Sequence, residues 1–218
     1  MLHRKDVGET SLQVTFFTQE KGVVRARLKG GRKQSKQAIL QPFTPLWLCF
    51  DERINGDYLR DVQAIRCTLL LPDLAVIPGL YVNELLYRFL QPHQDEPLLF
   101  IAYEKTLQAL MLVESQYQVE QVLRRFEWQL LQMLGYLVSF THEANQQQLI
   151  CMDAYYQLQP AIGFVRASAG FLGHEIVAIA NGSLTDEKIL KVAKSVMRQL
   201  INNALNGIPI RTREFYHT

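Results

Sequence analysis

The sequence VVRARLKGGRKQSK, residues 23–36, decides how the first part of the chain is interpreted. Its first seven residues alternate largely between apolar and basic side chains, a period-two pattern that predicts a strand with one buried face. Arg25, Arg27 and Lys29 would share the opposite, solvent-facing side of that strand. Three cations in a row on the wet face of a sheet are suited to holding a polyanion, and nucleic-acid phosphate is the obvious candidate.

Positive charge is concentrated around this strand. Between Lys21 and Phe50 there are seven basic residues and no acidic one, so the rest of the chain carries −5 for a total of +2. Gly30-Gly31 predicts a turn. We expect a mobile loop to follow it and to carry three of these cations: Arg32, Lys33 and Lys36. A solvated strand face beside a basic loop would give the same pattern, so the pattern alone leaves both interpretations open.

The composition is that of an ordinary globular protein. With 218 residues, 48% hydrophobic and 20% charged, the chain can bury a core in one or two domains. No apolar run approaches the roughly 18 residues that a membrane span needs, and no apolar segment follows the basic N-terminus, so we expect neither a membrane span nor a secretory signal. Three scattered cysteines without metal-binding spacing indicate a reducing, cytoplasmic setting and no metal site: Cys49, Cys67 and Cys151.

Residues 1–72 show the period of short strands. Alternation recurs in Ser11–Phe17 and Pro45–Phe50, a further strand is expected from about Tyr58, and Asn55-Gly56 predicts a turn before it. Four or five short strands without helical periodicity favour a small antiparallel barrel.

From residue 73 the apolar spacing changes to 3.6 residues, which predicts a mainly helical domain over 73–218. Because Pro78-Gly79 should interrupt a helix, we expect the first main helix to begin near Pro78. Residues 149–167 are less regular and predict a small β-hairpin. Together these patterns predict an α+β protein. The other helices are expected at about 95–114, 119–134, 174–180 and 185–205.

The residues give no positive sign of catalysis. The sequence contains no glycine-rich phosphate loop, no dinucleotide-binding glycine motif and no nucleophile elbow. Its acidic residues are dispersed. The one close acid–base neighbour, His142-Glu143, does not converge on one point in regular structure. We therefore expect no catalytic residue, no cofactor and no enzymatic activity.

Aromatic residues matter beside a basic strand because nucleic-acid bases stack on them. Phe17 and Trp47 fall on the faces assigned to solvent or ligand, whereas Phe16 and Phe50 fall on the apolar faces and are expected in the core. For Trp47, base stacking and plain packing both remain open.

Two predicted helices carry further cations. Arg124, with Arg125 beside it, borders the apolar face of the helix at 119–134, where an arginine can capture the carboxylate of an acidic peptide with an apolar end. The last helix places four cations on one face, which is also what an ordinary amphipathic helix does. They are Lys188, Lys191, Lys194 and Arg198.

Several segments, in collinear order and over nearly the whole chain, resemble the RecO family of bacterial DNA repair and recombination mediators. The most specific are LQPFTPL at residues 40–46 and LYVNELL at residues 80–86. The others are GETSL at 8–12, FTQEKG at 17–22, KGGR at 29–32, LRRFE at 123–127, LGY at 134–136, FTH at 140–142 and GIPIRTRE at 207–214.

The resemblance implies an OB-fold barrel followed by a helical domain. It implies binding of single- and double-stranded DNA, annealing of complementary strands, and action with RecR to load RecA onto DNA covered by single-strand-binding protein (SSB). It also implies that the helical domain docks the acidic, apolar C-terminal tail of SSB, and Arg124 matches the family arginine near that site. The alternative is a protein-interaction scaffold that docks SSB and RecR and binds DNA only weakly and nonspecifically.

Two features depart from the family pattern. Many relatives carry a cysteine zinc motif after the FTH segment, but here Glu143 follows and only Cys151 appears, so we predict no zinc. Relatives usually have several more residues before GETSL, where the first barrel strand forms, so we expect either a shortened start or an incomplete first strand.

The predicted DNA-binding residues are Arg25, Arg27, Lys29, Arg32, Lys33, Lys36 and Trp47, and the predicted SSB-tail residues are Arg124 and Arg125.

Overall fold

A computed structural model describes residues 1–51, 57–145 and 147–215. The chain folds into two compact units, Met1–Val113 with the segment from Ile210, and Glu114–Pro209. The predicted α+β class is confirmed. The turn predicted at Asn55-Gly56 lies outside the described residues. The extents predicted from the change of residue period, 1–72 and 73–218, remain a prediction.

The first unit contains a five-stranded sheet. Its strands are β1 (His3–Val7), β2 (Ser11–Thr18), β3 (Gly22–Leu28), β4 (Leu46–Asp51) and β5 (Asp57–Ala64), in the order β1-β2-β3-β5-β4. All neighbouring pairs are antiparallel except β3 with β5. The expected all-antiparallel barrel is therefore a mixed one. Its strand order, with a helix between β3 and β4, is that of an OB-fold.

The first barrel strand is present in this chain. β1 pairs with β2 over its whole length, from His3 opposite Thr15 to Val7 opposite Ser11. The alternation of β2 and β3 turns one side of each strand inward, and these side chains fill the barrel. The buried core consists of Leu12, Val14, Phe16, Ala26, Leu28, Leu40, Leu59 and Val62, with Phe50 packed against it.

The segment after β3 differs from the expected mobile loop. A turn over residues 29–32 leads into a short helix, α1 (Gln34–Ile39), which ends at the fully buried Leu40. The helix is only six residues long, too short to produce a recognisable 3.6-residue period. Burial of Leu40 in the barrel core anchors its C-terminal end.

Two longer helices complete the first unit, α2 (Asp73–Phe89) and α3 (Pro97–Met111). The prediction that the first helix begins near Pro78 is wrong, because α2 begins five residues earlier and contains Pro78. Phe43 and Leu71 pack closely against the helix just after Pro78. An added Cβ at Gly79 would lie 2.6 Å from a methyl carbon of Leu71 and 2.8 Å from the Phe43 ring, so a larger residue there would force these side chains to shift.

The C-terminal segment of the first unit is anchored to α2. The Glu84 carboxylate accepts hydrogen bonds from the backbone N–H groups of Arg211 (3.0 Å) and Thr212 (2.8 Å), at the start of a 3₁₀ turn (Arg211–Glu214). It also accepts from the Thr212 hydroxyl at 2.9 Å. A single carboxylate thereby satisfies the donors that the first turn of a helix leaves open.

The second unit is mainly helical. It contains α4 (Gln116–Met133), α5 (Gly173–Ala180) and α6 (Glu187–Ala204). The Ser115 hydroxyl accepts from the Gln118 N–H at the start of α4, and the Asp186 carboxylate accepts from the Lys188 N–H at the start of α6. The helices predicted near these positions are confirmed to within a few residues.

The predicted hairpin is present in the second unit as β6 (Tyr155–Gln159) and β7 (Gly163–Ala167). Its first strand begins later than the expected Leu149, and a two-residue strand, β8 (Phe171–Leu172), adds a third strand on the other side of β6. In the described ranges, no helix has the length and hydropathy that crossing a bilayer requires.

Candidate nucleic-acid interface

The solvent-facing side of β3 carries exposed cations, as the alternation predicted. Val24, Ala26 and Leu28 are buried, whereas Arg25 and Arg27 are exposed. Lys29, one residue beyond the strand, is also exposed. Since a strand advances about 3.3 Å per residue, alternate side chains on one face are separated by about 7 Å. Arg25 and Arg27 therefore follow one another on one face of β3, and Lys29 continues this row just beyond the end of the strand.

The register of the sheet adds residues to this face. Lys5 on β1 lies opposite Gln13, and Gln13 lies opposite Arg27. Paired residues project to the same side of a sheet. Lys5 and Arg27 thus flank Gln13 on the outer face. In the neighbouring row, His3 and Arg25 flank Thr15 in the same way.

Part of this outer face is covered within the first unit. Thr15 is 3% exposed, and Phe17 is buried with its ring 5.3 Å from the ring of Phe100 and 5.9 Å from that of Tyr103 on α3. The assignment of Phe17 to solvent or ligand is therefore wrong. The β2 pattern could not reveal this, because the packing partners lie more than 80 residues further along the chain.

Five of the predicted DNA-binding cations have no ion pair with any carboxylate that the structure describes. They are Arg25, Arg27, Lys29, Lys33 and Lys36. Two of them contact aromatic rings instead. The Arg25 guanidinium carbon is 5.6 Å from the centroid of Tyr87, and the Lys29 ammonium is 5.8 Å from that of Tyr58.

Arg32 has a different environment from the other predicted cations. Its guanidinium donates to the backbone carbonyls of Gly8 (3.2 Å) and Glu9 (3.0 Å) and lies 3.5 Å from the Asp6 carboxylate. These contacts tie the β1–β2 turn to the segment after β3. The side chain is still 42% exposed, so it combines a structural contact with access to solvent.

The remaining predicted residues of the first unit lie on α1 and β4. Lys33 is the N-cap residue of α1 and is exposed, and Lys36 is half-buried on the same helix. Trp47 on β4 lies opposite Gln63 of β5 and is 51% exposed. Its indole ring is therefore accessible to a base.

Arg124 of α4 lies in the interior of the second unit. Its side chain is only 5% exposed, and its guanidinium donates to Glu120 at 3.1 Å and to Glu127 at 2.6 Å. Both partners are buried carboxylates of the same helix, one turn before and one turn after it. An incoming carboxylate would have to compete with them. Arg125, the other predicted tail residue, is exposed.

Two of the four cations on α6 are also ion-paired. The Lys194 ammonium is 3.0 Å from Glu120, and the Lys188 ammonium is 3.6 Å from Glu175. Lys191 and Arg198 are exposed. Lys194 is thus tied to a buried carboxylate, whereas the Lys188 side chain is 71% exposed and its pair is screened by solvent.

The segment after FTH is held by a buried pair of polar side chains. The Tyr156 hydroxyl donates to the Glu143 carboxylate at 2.9 Å and accepts from the backbone N–H of Cys151 at 2.9 Å. Burial, and then the hydrogen bond and negative charge of Glu143, raise the pKa of Tyr156. Among the described residues, no three His, Cys, Asp or Glu side chains are grouped so that they could hold a metal ion.

Sequence reasoning missed the contribution of β1. Lys5 and His3 reach the basic face only because β1 pairs with β2 in the observed register. A local signal was available, since HRK at residues 3–5 adds charge just before GETSL. Without the pairing register, however, the face to which these side chains point could not be assigned.

Comparison with known proteins agrees with this architecture. Residues 1–68 match the family model described as Recombination protein O N terminal, and residues 75–170 match Recombination protein O C terminal. Together the two models match well over half of the chain.

Similar full-length proteins carry the same name. The DNA repair protein RecO of Legionella pneumophila strain Philadelphia 1 is 40% identical over 217 residues, covering 99% of this chain and 95% of that protein. The DNA repair protein RecO of Pasteurella multocida is 36% identical over 222 residues, covering 99% and 92%. That of Haemophilus influenzae is 35% identical over 222 residues, covering 99% and 93%. The chain belongs to the RecO family of DNA repair proteins.

Proposed function

We propose that this protein is a non-enzymatic mediator of recombinational DNA repair that binds DNA through the outer face of β3. The observation that carries the proposal is the line of exposed cations Arg25, Arg27 and Lys29, which have no carboxylate partner among the described residues. Charge of one sign that is left uncompensated on a rigid sheet favours a polyanionic ligand.

The sugar–phosphate chain is the part of DNA that this face would grip. The grip releases condensed counterions, so each phosphate contact with a single strand contributes about −0.7 to the slope of log affinity against log salt. Arg32, Lys33 and Lys36 extend the positive surface beyond the end of β3, and the accessible Trp47 offers a ring on which a base can stack. Phosphate contacts carry no sequence information, so they suit single and double strands of any sequence, and stacking on Trp47 adds to the binding of single strands.

Strand annealing follows from the same charges without a catalytic residue. Neutralising the phosphates of two complementary strands lowers their mutual repulsion, and base pairing then supplies the free energy. We therefore propose annealing of complementary single strands as an activity of this chain, in a cytoplasmic setting.

Partner proteins complete the proposed role. The family resemblance implies action with RecR to load RecA onto DNA covered by SSB. Docking of the acidic SSB tail on the helical unit would raise the effective concentration of the protein at covered DNA. Arg124 and Arg125 are the residues assigned to the tail, and of the two only Arg125 presents an exposed guanidinium.

The test compares wild type with the triple variant Arg25→Ala, Arg27→Ala and Lys29→Ala. Binding of a fluorescently labelled single strand is followed by anisotropy at several salt concentrations. We expect weaker binding and a salt slope that is shallower by about 2, which corresponds to three lost phosphate contacts. Circular dichroism checks that the barrel stays folded, as exposed side chains make small contributions to stability.

Annealing assays distinguish the proposed DNA-binding mediator from the alternative, a protein-interaction scaffold. Wild type should anneal complementary strands with and without SSB, and the triple variant should be slower in both. A protein-interaction scaffold would instead bind SSB and RecR normally while showing only weak DNA binding at physiological salt. An unchanged salt slope in the triple variant would contradict the proposed use of the β3 face.

A further inference from the structure

A cluster of aromatic and basic side chains lies beside the β3 face, around Tyr87 of α2. The imidazole of His3 stacks on the Tyr87 ring with a centroid distance of 4.6 Å and an interplanar angle of 27°. The guanidinium carbons of Arg25 and Arg88 lie 5.6 Å and 5.9 Å from the same ring centroid. Through His3 and Arg25, the Tyr87 ring therefore contacts two strands of the barrel, β1 and β3, and Arg88 of its own helix adds a second guanidinium.

The cluster carries an excess of positive charge. Glu84 is 3.3 Å from Arg88, but this carboxylate also accepts three hydrogen bonds from residues Arg211 and Thr212. Its charge is thus shared with the 3₁₀ turn of the C-terminal segment. Lys5, on the same strand and face as His3, and Arg211, in that turn, add two further positive charges.

The pKa of His3 is affected by this excess of positive charge. Burial lowers its pKa below the usual value, and the nearby charge of Arg88, with smaller effects of Lys5 and Arg211, lowers it further. Only Glu84 acts in the opposite direction. The surrounding cations repel the protonated form of His3. A bound anion would reduce this repulsion, so the same charges that lower the pKa of His3 favour the binding of an anion.

We propose that the Tyr87 cluster is a second phosphate-binding site, at which a bound DNA strand continues from β3 onto α2. The proposal rests on the proposed DNA binding and adds to it residues that no sequence motif indicated: His3, Tyr87 and Arg88. The Tyr87 ring is the positioning element, and the guanidinium groups of Arg25 and Arg88 are the phosphate ligands.

The physical role of the ring is to restrict the two arginines. A guanidinium held over an aromatic face keeps its planar set of donors free for a bidentate contact with phosphate. Without the ring, one of the two guanidinium groups no longer keeps this position, and its phosphate contact is expected to be lost. Base stacking on Tyr87 is less favoured, since His3 already occupies part of the ring surface.

Two substitutions at Tyr87 separate this role from other roles of the residue. Tyr87→Leu removes the ring but no charge, whereas Tyr87→Phe keeps the ring and removes only the hydroxyl. With a labelled single strand, we expect Tyr87→Leu to reduce the salt slope by about 0.7, the value of one phosphate contact, and Tyr87→Phe to retain the wild-type slope. Lys105→Ala, which removes an exposed cation of α3, is the charge control and should also retain the slope.

Other outcomes overturn the site. A weaker affinity of Tyr87→Leu with an unchanged salt slope would mean that Tyr87 stacks on a base, and an unchanged affinity would mean that the ring takes no part. A salt slope of Tyr87→Phe that is shallower than that of wild type would contradict the role given to the ring, because this variant keeps the ring. Wild-type protein that fails to bind DNA at all would refute the proposed function itself, which keeps the two failures distinguishable.

A measurement on the wild-type protein does not depend on how the variants fold. The His3 ring signal can be identified by NMR from its disappearance in His3→Gln and then titrated with pH. A bound phosphate should raise the pKa of His3, because its negative charge favours the protonated ring over the repulsion from Arg88, Lys5 and Arg211. The pKa should therefore be higher with a single-stranded oligonucleotide than without it. An unchanged pKa at saturating oligonucleotide would rule out a phosphate at this cluster.

Discussion

Arginines in two regions of this molecule have opposite surroundings. On β3, Arg25 and Arg27 are exposed and have no carboxylate partner in the described part of the chain. In α4, Arg124 is 5% exposed and lies between two buried carboxylates, Glu120 and Glu127. The same side chain is free to bind a ligand in one place and is part of the core in the other.

Burial and neighbouring groups, and not the type of side chain, set the role of each arginine. An exposed guanidinium keeps most of its hydration, contributes little to stability and can neutralise an incoming anion. A buried guanidinium has lost its water, so the hydrogen bonds to its carboxylates must compensate for the desolvation. Removal of the first should affect binding, and removal of the second should affect folding.

The largest expected effect is on the buried arginine. Arg124→Ala leaves two buried carboxylates with less positive charge around them, so we expect a loss of about 3–5 kcal/mol in the free energy of unfolding. Urea denaturation measures it. The matched control is Arg125→Ala on the same helix, where an exposed side chain should change stability by less than about 0.5 kcal/mol. Equal stability of the two variants would remove the contrast between the regions.

This result also bears on the proposed SSB-tail contact. Loss of tail binding in Arg124→Ala would be ambiguous if the second unit were destabilised. Arg125→Ala avoids the ambiguity because its side chain is exposed. We expect it to weaken binding of a labelled tail peptide while leaving binding of bare DNA largely unchanged. Titration of the peptide by anisotropy decides the matter, and wild-type affinity would remove Arg125 from the site.

The next effect is a difference in salt dependence between charge-matched variants. The triple variant of β3 should have a salt slope shallower by about 2, as stated above. Lys188→Ala, Lys191→Ala and Arg198→Ala together remove the same charge from α6, and we expect the slope to change by less than one phosphate contact. Similar slopes for both triple variants would show that DNA senses total charge and not the β3 face.

A smaller effect distinguishes a paired cation from an exposed one within α6. The Lys194 ammonium is 3.0 Å from Glu120, and its side chain is 33% exposed. Because solvent screens such a pair, we expect Lys194→Ala to cost about 1 kcal/mol or less. Lys191→Ala, on the exposed side of the same helix, should have no measurable effect on the melting temperature. A larger loss in Lys191→Ala would contradict this assignment.

The smallest effect is the pH dependence due to Glu84. Burial alone would raise the pKa of this carboxyl group, but hydrogen bonds from Thr212, Arg211 and Arg88 outweigh it and lower the pKa below its ordinary value of 4.5. The ionised form is thus favoured in the folded state, and its stabilisation is present above pH 4.5 and lost as the pH falls through the lowered pKa. We expect Glu84→Gln to be less stable than wild type at pH 7 and the difference to narrow on acidification. Urea denaturation at pH 7 and below pH 4 measures this difference, and a constant gap would contradict the role of the carboxylate.

Local patterns predicted a large part of the fold. The strand with Arg25 and Arg27 was evident because period two is preserved in a half-buried strand. α4 and α6 were evident from long apolar spacing. The helix α1 was not, since six residues are too few to show a period, and the early start of α2 was not, because Pro78 lies inside the helix.

The candidate site was predicted only in part. Arg32 belongs to the basic run, but its hydrogen bonds to Gly8 and Glu9 depend on how the β1–β2 turn folds. The partners of Arg124 could be inferred from the sequence, since Glu120 and Glu127 are four and three residues away on the same helix. What the spacing could not reveal was that this cluster faces inward.

Residues close together in the chain are enough to predict the basic face of β3, the order of strands before helices, and the resemblance to RecO proteins. Contacts between distant residues settle which cations stay in water, which are buried with carboxylates, and that His3, Arg25 and Tyr87 meet. Burial and register are set by side chains far apart in sequence, and the desolvation of a charge depends on all of them at once, so local patterns cannot predict them.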